Sequence, residues 1–390
     1  MRILAISYLF PNSIYPNYGI FVHNRLKALQ KYCDIKVINP IPYFPMYHSF
    51  YRYKNYNLIP KIENLKGIET IHPRFFFIPR VFKSIDAFSF AANIIPIALN
   101  QKFDIIDLHW TYPDIFAGYL LSKLTGKKFI VTVRGHEALY LDEISFRQKI
   151  IKSFLKKADF VIALSSKLKE LCIKNGVSNK KIDVIPNGVD TKAFYYIDKS
   201  LCRRHLNINL KERVIISIGS LTYGKGFDRL INIFPQILKS YSDTRLYIIG
   251  SSGPAGDYKK DLIKLVNKNG LANHINFIGE VPNQNLVFWY NAADVFCLSS
   301  RSEGSPNVLN EALSCGCPSV ATDVGAVSEI LKNEFMGIIS PNNKEGLFAG
   351  ILNVFSKNYD RTKIAKYMEQ FSWDLCAQKV MKIYENIVSS

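Results

Sequence analysis

Residues 302–322 read SEGSPNVLNEALSCGCPSVAT, and this stretch predicts a short helix between two buried strands. Ser305 is a residue type preferred at an N-cap, and Pro306 suits the first helical position. We therefore expect a helix from Pro306 to about Ser314 that stops near Gly316. The apolar runs DVFCLSS before it and CPSVAT after it read as strands, and this alternation is typical of a parallel α/β domain.

Two glutamates flank the start of this helix. Glu303 lies in the loop before it, and Glu311 lies about a turn and a half inside it. A helix N-terminus offers unpaired N–H groups and roughly half a positive charge, which suits a phosphate or diphosphate. Carboxylates accept hydrogen bonds from paired hydroxyls. The pattern predicts a site for an anion flanked by polyols, as in a nucleotide sugar; the alternative is a capped surface helix with a solvated glutamate.

The whole chain alternates apolar runs with helical patterns and predicts two doubly wound α/β domains. The turn-rich segment PNGVDTKAFYYID places the seam near residues 186–198. We therefore predict a first domain over 1–192 and a second over 193–371. A separate amphipathic helix is expected over 372–390.

Composition is that of a globular protein without a predicted membrane span. The chain has 390 residues, 48% of them hydrophobic, which is enough for two packed domains. It has no run of about 18 apolar residues, and MRILAISYLF lacks a signal-peptide cleavage region, so we expect a cytoplasmic protein. Seven scattered cysteines suit a reduced compartment. Cys315 and Cys317 have no second ligand pair nearby, so neither a metal nor a cofactor is expected.

The positive charge is concentrated in the first half. The net charge is +18, and residues 1–192 hold 28 Lys and Arg against 14 Asp and Glu. Aromatic residues interleave with cations in two stretches of this half, residues 41–61 and 74–83. This pattern suits a peripheral contact with an anionic membrane surface. Two alternatives remain, namely a lysine-rich composition that only favours solubility and a surface for single-stranded nucleic acid.

Three further motifs follow predicted strands, where ligands bind in open α/β sheets. IGSLTYGKGFDRLI (218–231) is a glycine-rich loop with Lys225, a cation suited to phosphate, but it is neither a P-loop nor a dinucleotide fingerprint. FPNSIYPNYGIFVHNRLKAL (10–29) carries Gly19 in a loop that is equally consistent with an ordinary turn. VTVRGHEALY (131–140) ends a strand with residues that have little reason to be buried; such a histidine is more often a hydrogen-bonded bystander than a catalyst.

From residue 10 to residue 373 the chain resembles the retaining glycosyltransferases of family 4, most strongly in the EGxxxxxxEA segment that begins at Glu303. The resemblance implies a GT-B fold, with two Rossmann-like doubly wound parallel-sheet domains facing across a cleft. It implies transfer of a sugar, with retained configuration, from a UDP- or GDP-sugar to a hydroxyl of a glycan or lipid-linked acceptor, for example in cell-surface polysaccharide biosynthesis. The donor would bind the second domain and the acceptor the first. The chain contains no D-x-D pair, so we expect a metal-independent enzyme.

The resemblance also implies roles for individual residues. Glu311 would bind the ribose hydroxyls, while Glu303 would face the transferred sugar and Lys225 the leaving diphosphate. Ser220 stands where the family has an arginine that binds the leaving diphosphate. A serine hydroxyl or Arg301 would have to compensate for the missing cation. The remaining donor residues would be Gly19 and Gly279, with the helix-start residues Ser305, Asn307 and Val308. His136 would contact the sugar, and Arg134 or Glu137 the acceptor.

Two rivals remain at the level of sequence. A basic nucleic-acid-binding protein would explain the charge but not the two glutamates, so we expect no nucleic-acid partner. A catalytically silent GT-B scaffold would retain the motifs without activity.

Overall fold

The computed structural model describes residues 1–45, 55–77, 86–135, 145–252 and 257–389. The chain divides into two compact units. The N-terminal unit contains residues 1–187 and 373–390, and the C-terminal unit contains residues 188–372. Both units are α/β with parallel-strand sheets, so the predicted fold class is confirmed.

The N-terminal unit is built on a sheet with the strand order β10-β9-β8-β7-β1-β2-β5-β4. Its pairings are parallel except for β4 with β5. A short parallel pair, β3 with β6, lies outside this sheet. The strands are β1 (Arg2–Ile6), β2 (Asp34–Ile38), β3 (Ile41–Tyr43), β4 (Ile62–Leu65), β5 (Ile68–Ile71), β6 (Arg74–Phe76), β7 (Ile105–Leu108), β8 (Lys128–Val133), β9 (Phe160–Ala163) and β10 (Ile182–Val184).

Hydrophobic clusters cover both faces of this sheet. Alternate residues of β1 point to opposite faces, so Leu4 and Ile6 join one cluster while Ile3 and Ala5 join the other. The apolar strand runs are therefore buried on both sides, as expected for parallel strands. The helices of this unit are α1 (Ile20–Leu29), α2 (Asp86–Leu99), α3 (Asp114–Thr125), α4 (Phe146–Leu155) and α5 (Ser166–Lys174).

The end of the chain returns to the N-terminal unit as a long helix, Trp373–Ser389. It packs on α1 and buries Ala377 and Tyr384 in the cluster beneath it. The Tyr384 hydroxyl donates a hydrogen bond to the buried carboxylate of Asp107 on β7. This helix therefore closes one face of the N-terminal sheet.

The C-terminal unit has a parallel sheet in the order β13-β12-β11-β14-β15-β16, an arrangement typical of doubly wound α/β folds. Its strands are β11 (Arg213–Ile218), β12 (Thr244–Ile249), β13 (Ile275–Gly279), β14 (Val295–Leu298), β15 (Ser319–Thr322) and β16 (Gly337–Ser340). Its helices are α6 (Lys199–His205), α7 (Phe227–Ser240), α8 (Lys259–Lys268), α9 (Leu286–Ala292), α10 (Asn307–Ser314), α11 (Val327–Ile330), α12 (Lys344–Phe355) and α13 (Arg361–Met368); the chain-terminal helix Trp373–Ser389 is α14.

Among the described residues, none of the helices combines the length and the apolar character needed to span a bilayer.

Candidate functional site

The predicted site residues of the C-terminal unit gather at the carboxyl edge of its sheet. The loop after β11 carries Lys225, and the loop after the neighbouring strand β14 carries Glu303. Because adjacent parallel strands end at the same edge, these two loops meet. Lys225 Nζ lies 2.6 Å from Glu303 Oε1. The structure therefore brings together two residues that are far apart in sequence.

Ser300 fixes the same oxygen of Glu303. Its hydroxyl donates to Glu303 Oε1 at 2.6 Å, and Thr322 on β15 in turn donates to the Ser300 carbonyl at 2.6 Å. Glu303 Oε2 has no hydrogen-bond partner among the described residues. One carboxylate oxygen is thus held by two donors, which leaves the other for a ligand hydroxyl.

Two glycines allow the loops to come this close. Gly226 has a φ of 67°, and a Cβ there would lie 2.0 Å from the Ser299 carbonyl oxygen. Gly325 has a φ of 53°, and a Cβ there would lie 2.4 Å from the carbonyl oxygens of Glu303 and Gly304. Only glycine fits such positions without strain. The close approach that Gly226 allows is therefore to protein backbone.

The helix between β14 and β15 starts one residue later than predicted. It spans Asn307–Ser314, with Pro306 as its N-cap and no side-chain cap. The predicted capping role of Ser305 is therefore wrong, because Pro306 itself has extended backbone, with φ −74° and ψ 101°, and takes the cap position in place of the first helical one. Ser305 Oγ is buried without a hydrogen-bond partner among the described residues. Leu309 donates to the Pro306 carbonyl, which closes the first turn.

Glu311 occupies the second turn of this helix and is half-buried by surface area, although protein atoms closely surround its carboxyl group. Burial raises the pKa of Glu311 to about 7, against a smaller lowering by the Tyr290 hydroxyl. That hydroxyl donates to Glu311 Oε2 at 2.8 Å. Burial, followed by the nearby Glu311, raises the pKa of Tyr290 well above its usual value. Any group that donates hydrogen bonds to Glu311 favours its charged form and lowers its pKa again.

Arg301 does not supply the cation that is missing at Ser220. Its guanidinium donates to both carboxylate oxygens of Asp228, at 2.8 and 2.6 Å. It also lies 3.7 Å from the ring centre of Tyr223. These contacts hold the loop of Lys225 against the loop of Glu303. Because the guanidinium is already paired, we no longer assign Arg301 a role in binding an anion.

The other predicted donor residues lie on the same edge. Ser220 follows β11, and its hydroxyl makes no hydrogen bond to a described residue. Gly279 ends β13 with a φ of 85°, and its carbonyl accepts a hydrogen bond from Gly250 at 2.8 Å. Asn307 and Val308, both half-buried, form the first turn of the helix.

A cavity of about 400 Å³ lies at the opposite, amino-terminal edge of this sheet. Cations line it, but Arg203 and Lys199 already pair with Asp294, and the Arg361 guanidinium donates to three backbone carbonyls. This cavity is remote from the Lys225–Glu303 pair, and we assign it no role. Among the described residues, no group of three His, Cys, Asp or Glu side chains is arranged to hold a metal ion.

Two family models match the chain in succession. The model described as "Glycosyl transferases group 1" matches residues 198–371, within the C-terminal unit, and "Glycosyltransferase Family 4" matches residues 48–193. The chain belongs to the group 1 glycosyltransferases of family 4 type.

This glycosyltransferase is 28% identical, over 90% of its length, to TuaC of Bacillus subtilis, a glycosyltransferase named for teichuronic acid biosynthesis; the match covers 88% of TuaC. In structure it resembles sucrose-phosphate synthase from Thermosynechococcus elongatus, with a TM-score of 0.82, 20% identity and full coverage of both chains. It also resembles Anabaena HepE in complex with UDP, with a TM-score of 0.75, 19% identity and coverage of 99% and 100%. The fold is GT-B.

In the N-terminal unit of the glycosyltransferase, two of the predicted site residues, Gly19 and Arg134, pack closely against other residues of the same unit. Gly19 precedes α1 with a φ of 72°, and a Cβ there would lie 2.7 Å from the Leu9 carbonyl. Arg134 is only 5% exposed, contrary to the expectation of an exposed strand end. Its guanidinium donates to the His109 carbonyl and to Asn187 Oδ1, so we withdraw its acceptor role. His136 and Glu137 lie outside the described residues.

Sequence reasoning missed Ser300 and Tyr290 of the glycosyltransferase site. Each holds one of the predicted glutamates by a single hydroxyl hydrogen bond. Ser300 follows β14, and its place just after a strand end is a sequence signal that could have marked it as a site residue. Tyr290 lies in the apolar helix α9, where the sequence pattern indicates only core packing.

Proposed function

We propose that this glycosyltransferase moves a sugar from a nucleoside diphosphate sugar to a hydroxyl of a glycan or lipid-linked acceptor. The observation that carries the proposal is the joint position of Lys225, Glu303 and Glu311 at the carboxyl edge of the C-terminal sheet. A cation, two carboxylates and a helix N-terminus together match a diphosphate between two polyols. HepE, which shares the fold, is described in complex with UDP and with UDP-glucose, and this supports a UDP-sugar donor over a GDP-sugar.

The residues divide the work of transfer. Lys225 partly neutralises the charge that develops on the leaving diphosphate. The backbone N–H groups at the start of α10 and the buried Ser305 hydroxyl stabilise this charge by donating hydrogen bonds. Glu311 accepts hydrogen bonds from the ribose hydroxyls. The free oxygen of Glu303 accepts hydroxyls of the transferred sugar.

We propose transfer with retained configuration and without a metal. The bond from the sugar C1 to the phosphate oxygen breaks, and its electron pair leaves with the diphosphate. The acceptor oxygen forms the new bond on the same face of the sugar, and its proton passes to a phosphate oxygen. In this proposal Glu303 orients and stabilises the sugar through its free oxygen, and the acceptor oxygen is the only nucleophile.

Screening nucleotide sugars identifies the donor. Thermal-shift measurement against UDP-, GDP- and ADP-sugars should select a UDP-sugar. Nuclear magnetic resonance of the first-formed product should show the same anomeric configuration as the donor. Turnover should survive chelation of divalent metals. An inverted product would overturn the retaining mechanism, and turnover without shift by any nucleotide sugar would overturn the donor class.

Substitution of the two glutamates separates their roles. Glu311→Ala should weaken nucleotide binding, whereas Glu303→Ala should mainly lower turnover. Unimpaired kinetics in both variants would contradict the assigned roles. A folded wild-type protein that binds the donor but never turns it over would indicate the silent scaffold instead.

The name of TuaC supports an acceptor in cell-surface polysaccharide assembly, and the excess positive charge of residues 1–192 supports a peripheral contact with an anionic membrane. In the aromatic-basic stretches considered from sequence, Tyr43 and Phe76 are exposed. Residues 46–54 and 78–85 lie outside the described residues, and within the rest Phe44 and Tyr56 pack into a small core.

A further inference from the structure

Three helices of the N-terminal unit carry exposed aromatic and aliphatic side chains. Helix α2 packs on α3, and α3 packs on α4. Phe88 on α2 is 51% exposed, Leu124 on α3 is 64% exposed and Phe146 on α4 is 43% exposed. We call this surface the aromatic–lysine face, defined by Phe88, Phe116, Tyr119, Leu124, Phe146 and Phe154 with the cations Lys123, Lys149, Lys152, Lys156 and Lys157.

Four rings of this face contact one another in a row across the three helices; Phe88 is exposed, whereas Phe116, Tyr119 and Phe154 are partly buried. Phe88 on α2 lies 4.9 Å from Phe116 on α3, measured between ring centres. Phe116 lies 5.4 Å from Phe154 on α4, and Phe154 lies 4.8 Å from Tyr119. Scattered single apolar residues are normal on protein surfaces, but a connected patch marks an interaction site.

The charge of this face has one sign. Its five lysines form no ion pair with a described residue. The acidic residues of α2, α3 and α4 are Asp86 and Asp114, and both are buried. Asp86 pairs with Arg147 at 3.2 Å, and Asp114 accepts the Tyr8 backbone N–H. The face therefore exposes cations and apolar groups without a carboxylate from these helices.

We propose that the aromatic–lysine face docks on a bilayer that contains anionic lipid. The exposed side chains of Phe88, Leu124 and Phe146 enter the boundary between headgroups and acyl chains, while lysines extend their stems and pair with lipid phosphates. This proposal rests on the membrane contact included in the proposed function, and it identifies the surface that makes this contact. It does not depend on the transfer chemistry.

Two other readings fit the face less well. A surface that serves solubility mixes both charge signs and limits exposed aromatics. A nucleic-acid surface needs open ring faces on which bases stack. Here Phe88 and Phe116 pack at 67° to each other, and Lys157 Nζ lies 4.7 Å from the ring centre of Tyr119 and 5.0 Å from that of Phe154.

Vesicle flotation with the full-length protein tests the proposal. Vesicles of phosphatidylcholine with phosphatidylglycerol should bind the protein, and vesicles of pure phosphatidylcholine should not. Replacing Lys149, Lys152 and Lys156 by Gln should weaken binding on the order of 100-fold, from the contribution expected of each lysine near anionic lipid. Replacing the exposed Phe88 and Leu124 by Ser should also weaken binding, with little effect on folding.

A matched control removes the same charge elsewhere. The exposed lysines Lys259, Lys260 and Lys264 on α8 of the C-terminal unit, replaced by Gln, should change vesicle binding less than about threefold. Equal loss in both triple variants, or full binding by the variants of the face, would overturn the proposal. So would equal binding to both vesicle types, or release of the protein from vesicles by a single-stranded oligonucleotide. Hydrolysis of a soluble donor should be unchanged in the variants of the face, which separates this test from that of the transfer function.

Discussion

At the scale of single residues, the site depends on how the oxygens of two glutamates are held. Lys225 and Ser300 share Oε1 of Glu303, while Tyr290 holds Oε2 of Glu311. A carboxylate fixed in this way presents its other oxygen in one direction, which avoids an ordering cost when substrate binds. The Ser300 hydroxyl is therefore expected to affect turnover, and the Tyr290 hydroxyl donor binding, without touching substrate.

Ser300→Ala tests this expectation. A hydrogen bond to a charged group contributes about 1.5–3 kcal/mol, so turnover should fall on the order of 10-fold or more. Donor affinity should change little, because Ser300 contacts Glu303 and not the nucleotide. Steady-state kinetics separates the two quantities. Ser302→Ala, an exposed serine of the same loop, is the control and should resemble wild type. A variant that lost donor affinity but kept turnover would contradict the positioning role.

The raised pKa of Glu311 predicts a pH dependence of donor binding. If its carboxylate accepts ribose hydroxyls, the affinity for a UDP-sugar should rise as pH increases through about 7, because the diphosphate of a UDP-sugar does not titrate there. Calorimetric titration between pH 5.5 and 8.5 measures the effect. Glu311→Gln keeps an acceptor for Tyr290 and should abolish the rise.

The same shift affects stability with a definite sign. The folded pKa is raised above the unfolded value, so this group's contribution is fully present below about pH 4.5 and is lost as pH rises through about 7. As pH rises from about 4.5 to about 7, wild type should therefore lose stability relative to the Glu311→Gln variant. A wild type and variant with parallel profiles in both binding and stability would show that the pKa of Glu311 is not raised.

At the scale of elements, the glycine-rich loop packs against the neighbouring strand end. Gly226→Ala would place a Cβ against the Ser299 carbonyl at a positive φ. We expect it to lower the free energy of unfolding by more than about 2 kcal/mol. Gly224→Ala in the same loop meets nothing within 4 Å and should be nearly neutral. Chemical denaturation measures both, and equal effects would contradict the packing role.

The elements of the site were predictable to within a residue, but their contacts were not. The alternation of strands and the helix near residue 307 follow from local pattern alone. The capping assignment to Ser305 failed because Pro306 took the cap position. The pairing of Arg301 with Asp228 and the burial of Arg134 depend on how distant segments pack, which local sequence does not encode.

At the scale of the whole molecule, the end of the chain stabilises the N-terminal unit. Tyr384→Phe removes the hydroxyl that donates to the buried Asp107 carboxylate, and this should cost about 1–3 kcal/mol of stability. Tyr32→Phe, which removes an exposed hydroxyl beside the same helix, is the matched control and should cost less than about 1 kcal/mol. Thermal unfolding measures both. UDP-sugar affinity should not change in either variant, because the proposed donor residues that contact each other belong to the C-terminal unit.

A crystal structure of the protein with a bound UDP-sugar tests the central claim most directly. The account predicts that the diphosphate lies within hydrogen-bonding distance of Lys225 Nζ and the backbone N–H groups at Asn307. It also predicts the ribose hydroxyls at Glu311 and the sugar at the free oxygen of Glu303. A nucleotide bound elsewhere, with the Lys225–Glu303 pair untouched, would contradict it.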